Sequence, residues 1–153
     1  MPNDKEEGMF PARQITEILG GRKRLGRSVS SLDDFDALVR EGFPWAAASH
    51  AKKVLSISDV DFASMLEMSP RTLARKKKEQ SRLNLVFSDR LFRLIRIVSF
   101  ASDVLEGLNH ALSWLNEAQV GLGGRVPMDL IRTEAGAREV EQLLGRLEYG
   151  VVS

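Results

Sequence analysis

The chain has 153 residues, of which 43% are hydrophobic and 28% charged, with a formal net charge of +1 and no cysteine. That length allows one domain or two small ones with a real core, and the missing cysteines exclude disulfides and thiolate metal sites and suit a reducing compartment. The near-neutral total conceals an uneven distribution. Met1 to Pro70 carries 9 basic and 11 acidic residues, Arg71 to Arg96 carries 9 basic and 2 acidic, and Ile97 to Ser153 carries 4 basic and 8 acidic. A basic block followed by an acidic module points to a nucleic-acid face beside a surface for something else.

The opening residues, Met1 to Gly8, are polar and expected to fray. They contain no apolar core of a secretory signal. Ala12 to Leu19 predicts a short helix, ended by Gly20-Gly21. Gly21 to Ser30 is basic and glycine-containing, so a loop or linker is expected. Its Gly21-Arg-Lys-Arg-Leu-Gly26-Arg27-Ser28 superficially matches a phosphate-binding loop. Arginine stands in place of the lysine and no strand precedes it, so that reading is rejected in favour of a solvated linker, or an arm touching DNA phosphates.

Ser31 predicts an N-cap, with Asp33 and Asp34 complementing the positive end of a helix that runs to Glu41 and stops at Gly42. Pro44 opens a second helix, Trp45 to Leu55, whose alanines invite close packing. Trp45 and His50 are read as packing residues.

Ser58 to Lys78 is the stretch around which the chain is organised. Ser58 caps a short helix whose Phe62, Ala63 and Leu66 must point inward, and Met68 plugs the turn that follows. Ser69 caps a second helix that Pro70 starts. At 100° per residue, Arg71, Arg75 and Lys78 fall within about 60° of one another while Leu73 lies opposite. One apolar anchor with a row of cations behind it is the geometry of a helix-turn-helix recognition helix. The plain alternative is a solvated basic face. On the DNA reading the contact set is Ser69, Arg71, Thr72, Arg75, Lys76, Lys77, Lys78 and Arg82. Arg71 and Arg75 are assigned to base edges, because arginine pairs bidentately with guanine. Lys76, Lys77, Lys78 and Arg82 are assigned to phosphates. Two residues depart from the usual motif: Glu67 at a turn position where glycine is common, and Lys76 where an apolar residue is common.

Ser88 and Asp89 are expected to start a long helix through Glu106, closed by Gly107. Leu91, Leu94, Ile95, Val98, Ser102 and Leu105 share its inner face. The apolar run Leu91 to Leu108 is broken by Arg93, Arg96 and Asp103, which rules against a membrane span. Phe92 and Phe100 fall on the opposite, exposed side and are read as a dimer or partner contact. Asn109 to Asn116 predicts a short helix, Gly121 to Pro127 a glycine loop, and Thr133 the cap of a last helix. Val140, Leu143, Leu144 and Leu147 form the apolar stripe of that helix, which Gly150 ends.

Several of these segments recur together in one known family. Arg71-Thr-Leu-Ala-Arg-Lys-Lys77, Ser88-Asp-Arg-Leu-Phe-Arg-Leu94, Ala111-Leu-Ser-Trp-Leu115, Leu122-Gly-Gly-Arg-Val-Pro127, Thr133-Glu-Ala-Gly-Ala137 and Tyr149-Gly150 follow in that order. Together they resemble the Xre/MbcA/ParS antitoxins that pair with RES-domain toxins, over about Ser58 to Ser153. The resemblance implies an all-α protein that represses its own operon as a DNA-binding homodimer. It also implies that the C-terminal module neutralises an NAD-depleting RES-domain toxin by blocking its active site. Carried over by position, Gly123, Gly124, Arg125, Pro127, Tyr149 and Gly150 face the toxin, with the tail Val151, Val152 and Ser153. Asn116 to Gly121 lacks the proline-bearing turn frequent in the family, and Val151-Val152 lacks the aromatic often found there.

The expected organisation is a flexible or partly helical segment over 1–30, a helix-turn-helix domain over 31–87, and a helical dimerisation and toxin-binding module over 88–153. Partners are a cognate toxin and operator DNA, in the cytoplasm, with no membrane, metal or cofactor. No enzyme is expected: His50 and His110 are the only histidines, and nothing assembles a nucleophile–base pair or a metal site. The competing reading is a helix-turn-helix regulator whose C-terminal module only dimerises.

Overall fold

The computed structural model describes residues 10–150. Among them the architecture is all-α, with one isolated bridge between Gln119 and Arg125. No helix among the described residues is long and apolar enough to cross a membrane. The expected fraying of Met1 to Gly8 falls outside the described residues.

The chain divides into two compact units, ending at Phe92 and beginning at Arg93. In the first, α1 (Ala12–Ile18) and α2 (Gly21–Leu25) pack on each other and on α4 (Trp45–Val54), with α3 (Leu32–Glu41) between them in sequence. Ile15, Leu19, Leu25, Phe35, Leu38 and Phe43 are wholly buried, so these front helices belong to the core. Helix α2 lies where the sequence led us to expect a linker. Five residues with four of them polar or glycine show no periodicity, yet Leu25 and Val29 are buried and anchor the segment. The cap of α3 is as expected: the Ser31 hydroxyl accepts from the Asp34 amide, and the Asp34 carboxylate accepts from the Ser31 amide. The amides of Ser30 and Ser31 hold the Asp34 carboxyl below its ordinary pKa.

The pair α5 (Asp59–Leu66) and α6 (Pro70–Glu79) forms the helix-turn-helix. Phe62, Ala63, Leu66, Met68 and Leu73 are all buried. Ser58 and Ser69 cap the two helices through the amides of Asp61 and Thr72. The turn carries Glu67 in the left-handed region, φ 53° and ψ 42°. Its carboxylate lies 2.9 Å from Arg90 Nη2, while Arg90 Nη1 donates to the Leu66 carbonyl at 2.8 Å. The conformation that favours glycine is thus held by an ion pair.

Helix α7 (Leu85–Val104) starts earlier than the sequence suggests, and the division between the units falls within it. The Asn84 side chain, rather than Ser88, serves its first turn, accepting from the Phe87 amide at 2.8 Å. Ser88 lies inside the helix and is buried, its hydroxyl accepting from the Phe43 amide at 2.9 Å. The expected exposure of Phe92 also needs correcting. It is 8% exposed and stacks on Phe35 and Phe10, with ring centroids 5.3 and 6.4 Å away. An aromatic off the main apolar stripe found a second core contact, and the proposed Phe92/Phe100 patch loses one member; Phe100 is half-buried.

In the second unit α8 (Leu108–Leu115), a 3₁₀ turn (Val120–Leu122), α9 (Pro127–Leu130) and α10 (Glu134–Glu148) pack in sequence, α9 against both α8 and α10. Val140, Leu143 and Leu144 bury the inner face of α10. Glu134 meets Arg93 at 3.1 Å and Arg96 at 3.4 Å, and Glu141 meets Arg96 at 2.6 Å, which ties α10 to the α7 segment of the same unit.

Candidate functional sites on the basic helix and the C-terminal module

Leu73 is the one buried residue of α6, and it fixes the rotation of that helix about its axis. The cations then sort by what they touch. Lys76 is half-buried and its Nζ donates to the Arg82 carbonyl at 2.8 Å. Arg82 Nη1 in turn donates to the Gly42 carbonyl at 2.7 Å. These two side chains latch the exit of α6 onto the end of α3, which is how a lysine occupies a position that is commonly apolar. Gly42 is required there, with φ 94° and a Cβ that would lie 1.9 Å from the Leu83 carbonyl oxygen.

Lys77 approaches Asp59 Oδ2 at 3.5 Å, and Lys52 approaches Asp59 Oδ1 at 2.8 Å. The hydrogen bond from Lys52, aided by both lysine charges, holds the Asp59 carboxyl below its ordinary pKa even though burial pushes the other way. Ser69 and Thr72 satisfy each other, hydroxyl to hydroxyl at 2.8 Å. Arg71, Arg75 and Lys78 are exposed, and their side chains have no hydrogen bond or ion pair among the described residues. The three cations the sequence aligns on one stripe are therefore the three left unengaged. Of the eight residues expected at DNA, seven sit on α6 or its cap, and Arg82 lies beyond the helix with its guanidinium turned to Gly42.

In the C-terminal unit the glycine loop is a closed turn. The Gln119 amide donates to the Arg125 carbonyl at 3.1 Å and the Gly124 amide to the Gln119 carbonyl at 2.9 Å. Arg125 Nε donates to the Leu122 carbonyl at 2.7 Å and its Nη2 reaches Glu139 at 2.6 Å, tying the loop to α10. Gly123 and Gly124 are exposed, with nothing within 4 Å of where a Cβ would stand. Pro127 is buried at the first position of α9, so it shapes the loop from within. Tyr149 caps the far end of α10 and is 81% exposed, followed by exposed Gly150. No hydrogen bond or ion pair among the described residues joins Tyr149 or Gly150 to the glycine loop. Val151, Val152 and Ser153 lie outside the described residues.

Sequence reasoning passed over Val120, which is 95% exposed on the 3₁₀ turn. Its signal was an apolar residue inside a loop with no periodicity to bury it. His110 Nδ1 hydrogen-bonds with the Leu105 carbonyl and His50 Nδ1 with the Ile18 carbonyl, so both rings have structural partners. No group of three or more metal-ligating side chains occurs among the described residues.

A capped basic helix at the close of a helix-turn-helix, followed by a separate helical unit, defines a two-part helix-turn-helix protein. Residues 34–96 match the antitoxin Xre-like helix-turn-helix domain, and residues 101–150 the antitoxin Xre/MbcA/ParS C-terminal toxin-binding domain. The chain is 35% identical over 99 residues to Antitoxin Xre of Yersinia enterocolitica, covering 64% of this chain and 67% of that one. It is 26% identical over 132 residues to Antitoxin Xre of Photorhabdus laumondii, covering 86% and 89%. Its fold is similar to that of a chain from the crystal structure of the M. tuberculosis MbcT–MbcA toxin–antitoxin complex. That match has a TM-score of 0.51 and 21% identity, over 82% of this chain and all of that one. The chain belongs to the Xre/MbcA/ParS antitoxin family.

Proposed function

We propose that this chain neutralises a cognate RES-domain toxin, which depletes cellular NAD, and represses its own operon. The observation that carries the reading is the pairing, on one chain, of unengaged Arg71, Arg75 and Lys78 on α6 with a match to a toxin-binding domain over 101–150. Arg71 and Arg75 read base edges in the major groove, and Lys78 and Lys77 sit on phosphates. As a dimer the protein reads an inverted repeat with half-sites about 34 Å apart or a multiple of that.

The C-terminal unit does the neutralising. From Ile97 onward the chain has 8 acidic against 4 basic residues, which suits occupation of a basic, nucleotide-binding cleft. Tyr149 and Gly150 lead into that cleft with the residues that follow them, and the exposed Gly123-Gly124 loop lies against the toxin surface. The chain itself catalyses nothing; its action is occlusion. Deleting Tyr149 to Ser153 releases NAD loss and growth arrest when the chain is co-expressed with its toxin, and leaves operator binding within about twofold of the intact chain. Full protection by the truncated chain would show that the tail does not block the toxin.

A further inference from the structure

The basic segment before α3 has no role in the reading above, and it is built more firmly than a linker. Helix α2 is bounded by Gly20 and Gly26, both in the left-handed region, and is pinned by buried Leu25. Arg22, Lys23 and Arg24 are exposed, and no carboxylate pairs with any of them among the described residues. Arg24 makes only a 3.4 Å contact with the Gly20 carbonyl of its own turn. Arg27, by contrast, is paired with Glu41 at 3.4 Å. Successive helical residues are separated by 100°, so the three cations spread over about 200° of the helix surface rather than align, with Lys23 opposite Leu25. Cations spread this widely cannot present a row of side chains to one groove, and so suit the phosphate backbone rather than a series of base edges.

Its place in the first unit links it to the recognition helix. The end of α1 is bonded to α4 through His50 and the Ile18 carbonyl at 2.9 Å. Lys53, exposed and with no partner for its ammonium among the described residues, is one helical turn further along α4. Its neighbour Lys52 shares Asp59 with Lys77 of α6. Helix α4 thus packs on α2 and also carries Lys52, whose partner Asp59 meets Lys77 of α6.

We infer that Arg22, Lys23 and Arg24 form a second contact with the DNA phosphate backbone, which adds affinity without sequence preference. This rests on the reading of α6 as the operator-binding helix. The toxin is the less suitable occupant, because the toxin-binding family match begins at residue 101, in the other unit.

The test uses the full chain and fluorescence anisotropy over a series of potassium chloride concentrations. The probes are a duplex from the chain's own upstream region and a shuffled duplex of the same length. In the triple variant Arg22→Gln, Lys23→Gln, Arg24→Gln, the slope of log affinity against log salt should shrink by about 2–3, at about 0.9 per phosphate contact. Affinity for both duplexes should fall by the same factor. The double variant Arg22→Lys, Arg24→Lys should keep the slope, and thermal unfolding should match the parent, since the altered side chains are exposed. An unchanged slope and affinity in the Gln variant would overturn the inference, as would a variant that binds DNA normally but no longer neutralises the toxin. In the same assay Arg71→Ala, Arg75→Ala should lose preference for the operator over the shuffled duplex. If the parent chain itself shows no such preference, the reading of α6 fails and takes this inference with it.

Discussion

Asp59 is the carboxylate that engages two of the cations on and beside α6. Lys52 and Lys77 converge on its two carboxylate oxygens at 2.8 and 3.5 Å. All three side chains keep contact with water, so the pairs contribute at most about 1 kcal/mol to stability. Their effect on charge is larger in consequence, because a carboxylate beside Lys77 offsets a cation on the recognition helix. Asp59→Asn should therefore strengthen binding to random duplex and steepen the salt dependence by about 1–2, at about 0.9 for each lysine that reaches a phosphate. Chemical denaturation should show a loss of less than about 1 kcal/mol. A salt slope equal to the parent's would mean that Asp59 withholds neither lysine from the DNA. The pH behaviour has a definite sign. The Asp59 carboxyl is held below its ordinary pKa in the folded chain, chiefly by the Lys52 hydrogen bond. Its contribution to stability is complete above the ordinary carboxylate value and is lost as pH falls through the lowered one.

At the scale of elements, caps and close approaches explain why the helices begin and end where they do. Ser31, Ser58, Ser69 and Thr133 each accept an amide hydrogen bond from the first turn of the helix that follows. All four were legible in the sequence, because a cap is a local event between a hydroxyl and an amide three residues on. Helix α2 was not, because five residues carry too little periodicity to announce a helix and only tertiary burial of Leu25 reveals it. Ser88 misled for the opposite reason. Its type suits a cap, but its hydroxyl is consumed by the Phe43 amide 45 residues away, a pairing that no local pattern encodes. Phe92 likewise depends on Phe35, a residue remote in sequence. Glu67 and Lys76 were noticed as departures, and the structure supplies their compensations in Arg90 and the Arg82 carbonyl.

The segment Thr133 to Ala137 yields a sharper prediction. A Cβ on Gly136 would lie 1.9 Å from the Leu130 carbonyl oxygen, so α9 can meet the first turn of α10 only over a glycine. Gly145 is in the same helix with nothing within 4 Å of its would-be Cβ. Alanine at Gly145 should stabilise by about 0.5–1 kcal/mol through helix propensity. Alanine at Gly136 should instead destabilise by about 1–3 kcal/mol, since the overpacking outweighs the same propensity gain. Urea unfolding of the two variants separates these effects, and a stabilised Gly136→Ala chain would contradict the close approach.

For the molecule as a whole, the arrangement of candidate residues makes the two proposed activities separable. Every residue assigned to DNA lies at or before Arg82, and every residue assigned to the toxin lies at or after Gly123, in different compact units. Each unit has its own buried core, and the second is further tied by Arg93 and Arg96 to Glu134 and Glu141. Exposed side chains on α6 can therefore be removed without touching what holds the C-terminal unit together. If each of Arg71 and Arg75 supplies a bidentate base contact worth about 1–3 kcal/mol, their joint loss weakens operator binding by at least about 30-fold. In cells carrying the intact operon, Arg71→Ala, Arg75→Ala should thus raise promoter activity while growth and NAD levels stay normal, because toxin is still captured. The tail deletion should give the reverse pattern, arrest with repression retained by any chain that remains. Reporter activity and NAD content measured on the same cultures distinguish the two. Arrest in the arginine variant, with its protein level unchanged, would show that α6 also serves the toxin and that the division of labour between the units is wrong.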